Sequence, residues 1–296
     1  MRNLPLPSRD SAENDLRTTI QKYRHKKQLL GHAITSAEVT AVLAIYDRYD
    51  EDLGAPCDAL KGGAFPASLI HALELAYDRT QKGRKLSALR EALFAGVKLC
   101  PICGIDPPTE LDHFLPRSSF KPLSIYTRNL VPLCHACNHT KLAGFGDLDE
   151  DEHRFVHVYF DALPDIQFLR ARTEIRDAGL VVEFAVPDQA VLPGGFSDRL
   201  NHQMTSLRLN ERYETEVNTY ISGHAAALHI QYETNGQQAV QNFLRLQARY
   251  EIGAFYRNHW RPTLLAALAD NNEFTDGGFA EVLHIPEDLL DDFLVD

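Results

Sequence analysis

The chain has 296 residues, a formal net charge of −11 from 30 basic and 41 acidic side chains, 44% hydrophobic residues and 24% charged residues. That composition excludes disorder over most of the length, and the length suits about two domains. The charge excludes nucleic-acid binding by bulk electrostatics, so any such contact must use a local basic patch.

Ser11 is placed to cap a helix over 12–30, with Leu16, Ile20, Tyr23 and Leu30 as its apolar stripe. Ser36 is placed to cap a second helix through Tyr49, burying Val39, Val42, Leu43 and Tyr46. Residues 54–67, punctuated by Gly and Pro, read as a loop, and further helices are expected over 66–80 and 85–95. Acids crowd 147–151 as a solvated linker. Segments 166–175 and 180–186 flank Asp177-Ala178-Gly179 as a hairpin. Helical spacing returns over 211–228 and 237–260, with Phe243, Tyr250, Phe255, Tyr256 and Trp260 read as core, and Pro262 marks a break or a new start. The acidic, apolar stretch 281–296 is a solvated end helix, a partner-docking tail or a cover for a basic cleft. No apolar run approaches the roughly 18 residues of a membrane span, and the N-terminus lacks the apolar core of a secretory signal; the expected compartment is the cytoplasm. The expected domains are a helical region at 1–95, a cysteine-bearing domain at 96–147, and a hairpin followed by helices at 148–296.

Four of the five cysteines form two Cys-x-x-Cys pairs, Cys100/Cys103 and Cys134/Cys137, separated by 30 residues. Two residues between cysteines let both thiolates reach one tetrahedral ion, so the pairs are expected to share a structural zinc. Four thiolates leave no open coordination position, so this metal holds the fold and does no chemistry. Cys57 stands apart as an ordinary thiol.

Between and after the pairs lie Asp112-His113, Arg117, Arg128-Asn129-Leu130, and then Asn138-His139-Thr140-Lys141. Fifteen residues separate His113 from Asn129, and eight separate Asn129 from Asn138. Together with the cysteine pairs, residues 97–145 resemble an HNH endonuclease domain of the ββα-metal type with a four-cysteine zinc. The resemblance implies an α+β, mostly helical chain whose small zinc-stapled ββα core is flanked by helical regions. It implies phosphodiester hydrolysis with His113 as the base that activates water, and with Asp112 and Asn138 as oxygen ligands of a catalytic Mg²⁺ or Mn²⁺. Asn129 would pin the loop that presents the histidine, and Arg117, Lys141 and His139 are candidates for phosphate contacts. The third motif position is Asn138, a variant of the histidine that gives the family its last letter; His139 follows it about 100° round the helix.

Two acid-poor clusters, Arg24/Lys26/Lys27 and 79–90, read either as solvated helix faces or as backbone-tracking patches. The segments 123–132 and 155–160 resemble stand-alone bacterial HNH proteins of phage-defence operons, such as the HNH subunit of Septu-type systems, also found with some retrons. That implies a partner ATPase and an antiviral role, with DNA the favoured substrate and RNA possible. The competing readings are a nuclease subunit silent until its partner releases it, an inactive zinc module that binds nucleic acid, and a homing or restriction nuclease.

Overall fold

The computed structural model describes residues 1–141, 154–177, 179–187, 192 and 195–285. The linker at 147–151 and the tail beyond 285 lie outside the described residues. The chain packs as two units, Arg2–Leu163 and Pro164–Asp296, the second including Met1. The fold is α+β and mostly helical, its sheets all two-stranded among the described residues. No described helix is long and apolar enough to cross a membrane.

The first unit opens with α1 (Ala12–Thr19), which stops well short of residue 30. The run Thr18-Thr19-Ile20 is β-branched and a poor helix former. A hairpin of β1 (Tyr23–His25) and β2 (Gln28–Leu30) follows instead. Its two-residue turn, Lys26-Lys27, has positive φ at both positions (46° and 69°), the twist that tight hairpins favour. Leu16 and Ile20 are buried as the stripe required, whereas Tyr23 and Leu30 are exposed on the hairpin. Ser11 does not cap α1; its hydroxyl donates to Asp15 Oδ2 at 2.7 Å.

Helix α2 (Ser36–Glu51) is capped by Thr35 rather than Ser36. The Thr35 hydroxyl accepts from Glu38 N–H at 3.2 Å and the Glu38 carboxylate accepts from Thr35 N–H at 2.8 Å, a reciprocal box that satisfies two orphan donors. The punctuated loop at 54–67 holds a 3-10 turn at Asp58–Lys61. Helix α3 (Ala67–Ala76) tightens into a 3-10 turn at Tyr77–Thr80, and α4 (Ser87–Phe94) leads to the first cysteine pair. There follow β3 (Glu110–His113), β4 (Leu130–Leu133) and α5 (His135–Lys141), with the strands antiparallel and Asp112 opposite Val131. Leu111 and Leu130 pack against Leu93 of α4. Tyr46 of α2 stacks on Tyr126 at 4.1 Å between ring centres, and Asp50 takes the Tyr126 hydroxyl (2.7 Å) and the guanidiniums of Arg128 (2.5 Å) and Arg9 (3.0 Å). These contacts fasten α2 to the segment between the cysteine pairs.

In the second unit, β5 (Arg170–Arg176) and β6 (Gly179–Ala185) pair antiparallel. Helices α6 (Phe196–Ser206), α7 (Leu209–Ser222), α8 (Ala225–Ala254), α9 (Trp260–Asp270) and α10 (Phe279–Val282) follow. Helix α8 breaks at Asn235–Gly236, where Gly236 takes φ 62° and ψ −155°, a conformation open essentially to glycine alone. Helix α9 starts at Trp260, and Pro262 sits in its first turn, where a missing N–H costs nothing. Trp260 is buried against Tyr213 and Tyr220, but Tyr250 is 71% exposed and is no part of the core.

Candidate functional site

The thiol sulfurs of Cys100, Cys103, Cys134 and Cys137 all lie within 4.8 Å of one another and all four residues are buried. Cys103 Sγ and Cys134 Sγ are 3.7 Å apart, against about 3.8 Å for the edge of a tetrahedron with metal–sulfur bonds of about 2.3 Å. Ile105 N–H points at Cys103 Sγ and Cys137 N–H at Cys134 Sγ, each at 3.4 Å, donors that favour sulfur as thiolate. Hydrogen bonding among the four thiols lowers Cys103 and Cys134 and raises Cys137, while burial together with those bonds raises Cys100. Geometry and donor chemistry fit a zinc-type ion. Gly104 turns the first knuckle at φ 68°, its N–H donating to Cys100 O at 2.9 Å.

Alternation along β3 puts Glu110 and Asp112 on one face and Leu111 and His113 on the other. On the first face, Lys141 of α5 pairs with Asp112 Oδ2 and donates to His113 O, both at 2.8 Å. One turn back on α5, the Asn138 amide donates to Glu110 Oε2, and His135 Nδ1 meets Glu110 Oε1 at 2.7 Å. Burial raises the Asp112 carboxyl above its ordinary value despite Lys141. Hydrogen bonds from Asn138 and His135 lower Glu110. Glu110, Asp112 and Asn138 thus bring two carboxylates and a carboxamide to one face, engaged with Lys141, His135 and one another.

His113 ends β3 on the opposite face, with the Tyr77 ring 4.5 Å from its own. Its Nε2 lies 2.9 Å from Ser124 O. A carbonyl only accepts, so Nε2 carries the proton and Nδ1 keeps its lone pair. Burial lowers the imidazole to about 4, which keeps it neutral at physiological pH. Arg117 lies over the Tyr77 ring at 5.1 Å and reaches Asp78 at 3.6 Å. His139 is exposed on α5, stacked on His135.

Asn129 is fully buried and uses all four of its hydrogen-bonding positions. Its amide donates to Leu115 O (3.1 Å) and Leu123 O (3.3 Å), and its oxygen accepts from Leu115 N–H (2.8 Å) and the Tyr49 hydroxyl (3.1 Å). It clamps both ends of the segment that follows His113. Behind it, His157 Nδ1 accepts from Tyr159 N–H (3.1 Å), which leaves the proton on Nε2 for the Tyr49 oxygen at 2.9 Å.

The structure thus gathers the cysteines, couples Asp112 to Lys141, and leaves the His113 ring and the Asn138 amide with other partners. Glu110 was legible two positions before Asp112, where strand alternation puts a second carboxylate on the same face. Tyr49 and Tyr77 carried no local signal, and His157 was marked only by the resemblance of 155–160. One relative comes from a phage.

The chain is 25% identical to Protein ea31 of Escherichia phage lambda over 201 residues, 63% of this chain and 67% of that protein. No protein-family profile matches the chain, and no solved structure does.

Proposed function

We propose that the chain is an HNH endonuclease, a metal-dependent phosphodiester hydrolase, with DNA its favoured substrate and phage defence its setting in the cytoplasm. The observation that carries this reading is the pairing of the Ser124 carbonyl with His113 Nε2. A histidine held in that tautomer, and kept neutral by burial, offers Nδ1 to take a proton from water. Asn129 holds the segment that frames it. Asp112 and Asn138, with Glu110 beside them, would hold the divalent cation, which supplies charge neutralisation at the scissile phosphate and the leaving oxygen. Lys141 balances the Asp112 carboxylate, and the half-exposed Arg117 and exposed His139 would meet phosphate oxygens.

The test is cleavage of plasmid, single-stranded DNA and structured RNA by wild type and His113→Ala, with Mg²⁺, Mn²⁺ or EDTA. Cleavage by wild type alone, abolished by EDTA, supports the reading; equal cleavage by His113→Ala refutes the assigned base. One observation favours a second reading, a subunit silent until a partner ATPase opens it: His113 and Asp112 are each only 8% exposed, and Asp112 is committed to Lys141. Cleavage that appears only with the partner present would select it.

A further inference from the structure

In a chain with 41 acids, the 22 residues between Asp15 and Glu38 and the 12 between Asp78 and Glu91 contain none, yet hold ten of its 30 lysines and arginines. The fold brings these two segments together. They line one cleft of about 660 Å³, with Lys22, Tyr23 and His32 from the first and Arg79 and Lys85 from the second. Lys85 Nζ donates to Thr18 O at 3.2 Å, joining them directly. Residues 21–30 and 81–85 are exposed throughout.

From this face we infer a binding surface for the phosphate backbone of a polynucleotide, centred on the β1–β2 hairpin and the 79–85 segment. Three observations converge on it. Lys22, Arg24, Lys26, Lys27, Lys82 and Arg84 make no ion pair among the described residues, although acids outnumber bases in the chain. The hairpin tip carries lysine at both left-handed positions, where asparagine and glycine cost least. Such backbone conformations are unfavourable for any residue but glycine, and what the tip gains is two adjacent exposed cations. The face also starts close to the site: Tyr77, against His113, lies two residues before Arg79 on the same 3-10 turn. A polyanion fits a row of unpaired cations with exposed Tyr23, Leu29 and Leu30 beside them.

The inference rests on the proposed nuclease reading for its location, and its test separates the two. Fluorescent 20-mer duplex DNA, single-stranded DNA and RNA are titrated with the His113→Ala protein between 50 and 200 mM NaCl. The same is done for that protein carrying Lys26→Glu/Lys27→Glu, or Arg79→Glu/Lys82→Glu. Each pair is expected to weaken binding at least tenfold at 100 mM salt and to lower the slope of log K against log[salt] by about two, one per lost phosphate contact. Circular dichroism confirms that the exposed substitutions leave the fold intact. Equal affinity and slope for parent and variants overturn the inference, as does absence of binding at 50 mM salt. Competition by polyglutamate as effective as that of DNA assigns the face to acidic proteins and also overturns it. Hairpin-dependent binding without cleavage by wild type leaves this surface standing and removes the free-standing nuclease.

Discussion

Replacing Asn129 with alanine strips four buried groups of a partner at once: Leu115 N–H, the carbonyls of Leu115 and Leu123, and the Tyr49 hydroxyl. A buried donor or acceptor left unsatisfied costs about 1–3 kcal/mol. The Tyr49 hydroxyl recovers part of its loss, because Arg128 O lies 3.4 Å away. Taking the low end for the remaining three gives a destabilisation of about 3–4 kcal/mol. The cost falls on the segment after His113, so amide hydrogen exchange over residues 114–124 is the direct assay. Opening that segment more easily by 3 kcal/mol speeds its exchange by about 150-fold. Tyr49→Phe removes the bond donated to Asn129 and the one accepted from His157 Nε2, and is expected to cost about 2 kcal/mol. Asn129→Asp keeps both accepted bonds but sets a carboxylate against two carbonyls, and is expected to be no better than alanine. Exchange within about fivefold of wild type for both Asn129 variants, under 1 kcal/mol, would refute the reasoning and show that packing alone places the segment.

Three further outcomes are expected. Cys134→Ser should abolish stoichiometric zinc, measured by atomic absorption, and should expose 97–141 to protease, whereas Cys57→Ser should do neither. Gly54→Ala should cost about 2–4 kcal/mol by urea unfolding, because Gly54 has φ +79° and its new Cβ would sit 2.7 Å from His157 Cδ2, displacing the ring that supports Tyr49. Burial raises Asp15 above its ordinary 3.8, so the folded chain holds that proton more tightly than the unfolded one. Stability is therefore expected to fall as pH rises from about 4 through the raised value, and Asp15→Asn should remove that decline in thermal unfolding across pH 3.5–7.

What the sequence disclosed followed the range of each signal. The cysteine pairs are legible because knuckle spacing is local chemistry, and the four sulfurs do converge. The β5–β6 hairpin and the start of α9 were readable for the same reason: turn residues and Pro262 act on their own neighbours. The stripe Leu16–Ile20–Tyr23–Leu30 misled because helical periodicity over 12–30 ignored the β-branched run at 18–20 and a lysine turn whose left-handed backbone no propensity favours. The cap is Thr35 rather than Ser36 because Glu38 stands three residues after Thr35, whereas Val39 stands three after Ser36. The partners of His113 and Asn129 were out of reach: Tyr77 lies 36 residues from His113, Tyr49 lies 80 from Asn129 and His157 lies 108 from the Tyr49 it supports, and only tertiary packing brings them together.

The two cysteine pairs close a loop the way a covalent cross-link would. For a loop of about 35 residues, tying its base removes roughly 4 kcal/mol of chain entropy from the unfolded state. Yet that loop does not supply all of its own interior. Leu115, Phe120 and Leu123 are buried from within it, but Tyr46, Tyr49, Tyr77 and His157, which pack on its Tyr126, His113 and Phe114, come from outside. An excised 97–141 peptide would therefore bind its metal and leave Phe114 and Tyr126 without these rings. Such a cassette cannot be moved between proteins by itself: a recipient must also provide the tyrosines and the histidine that close over it.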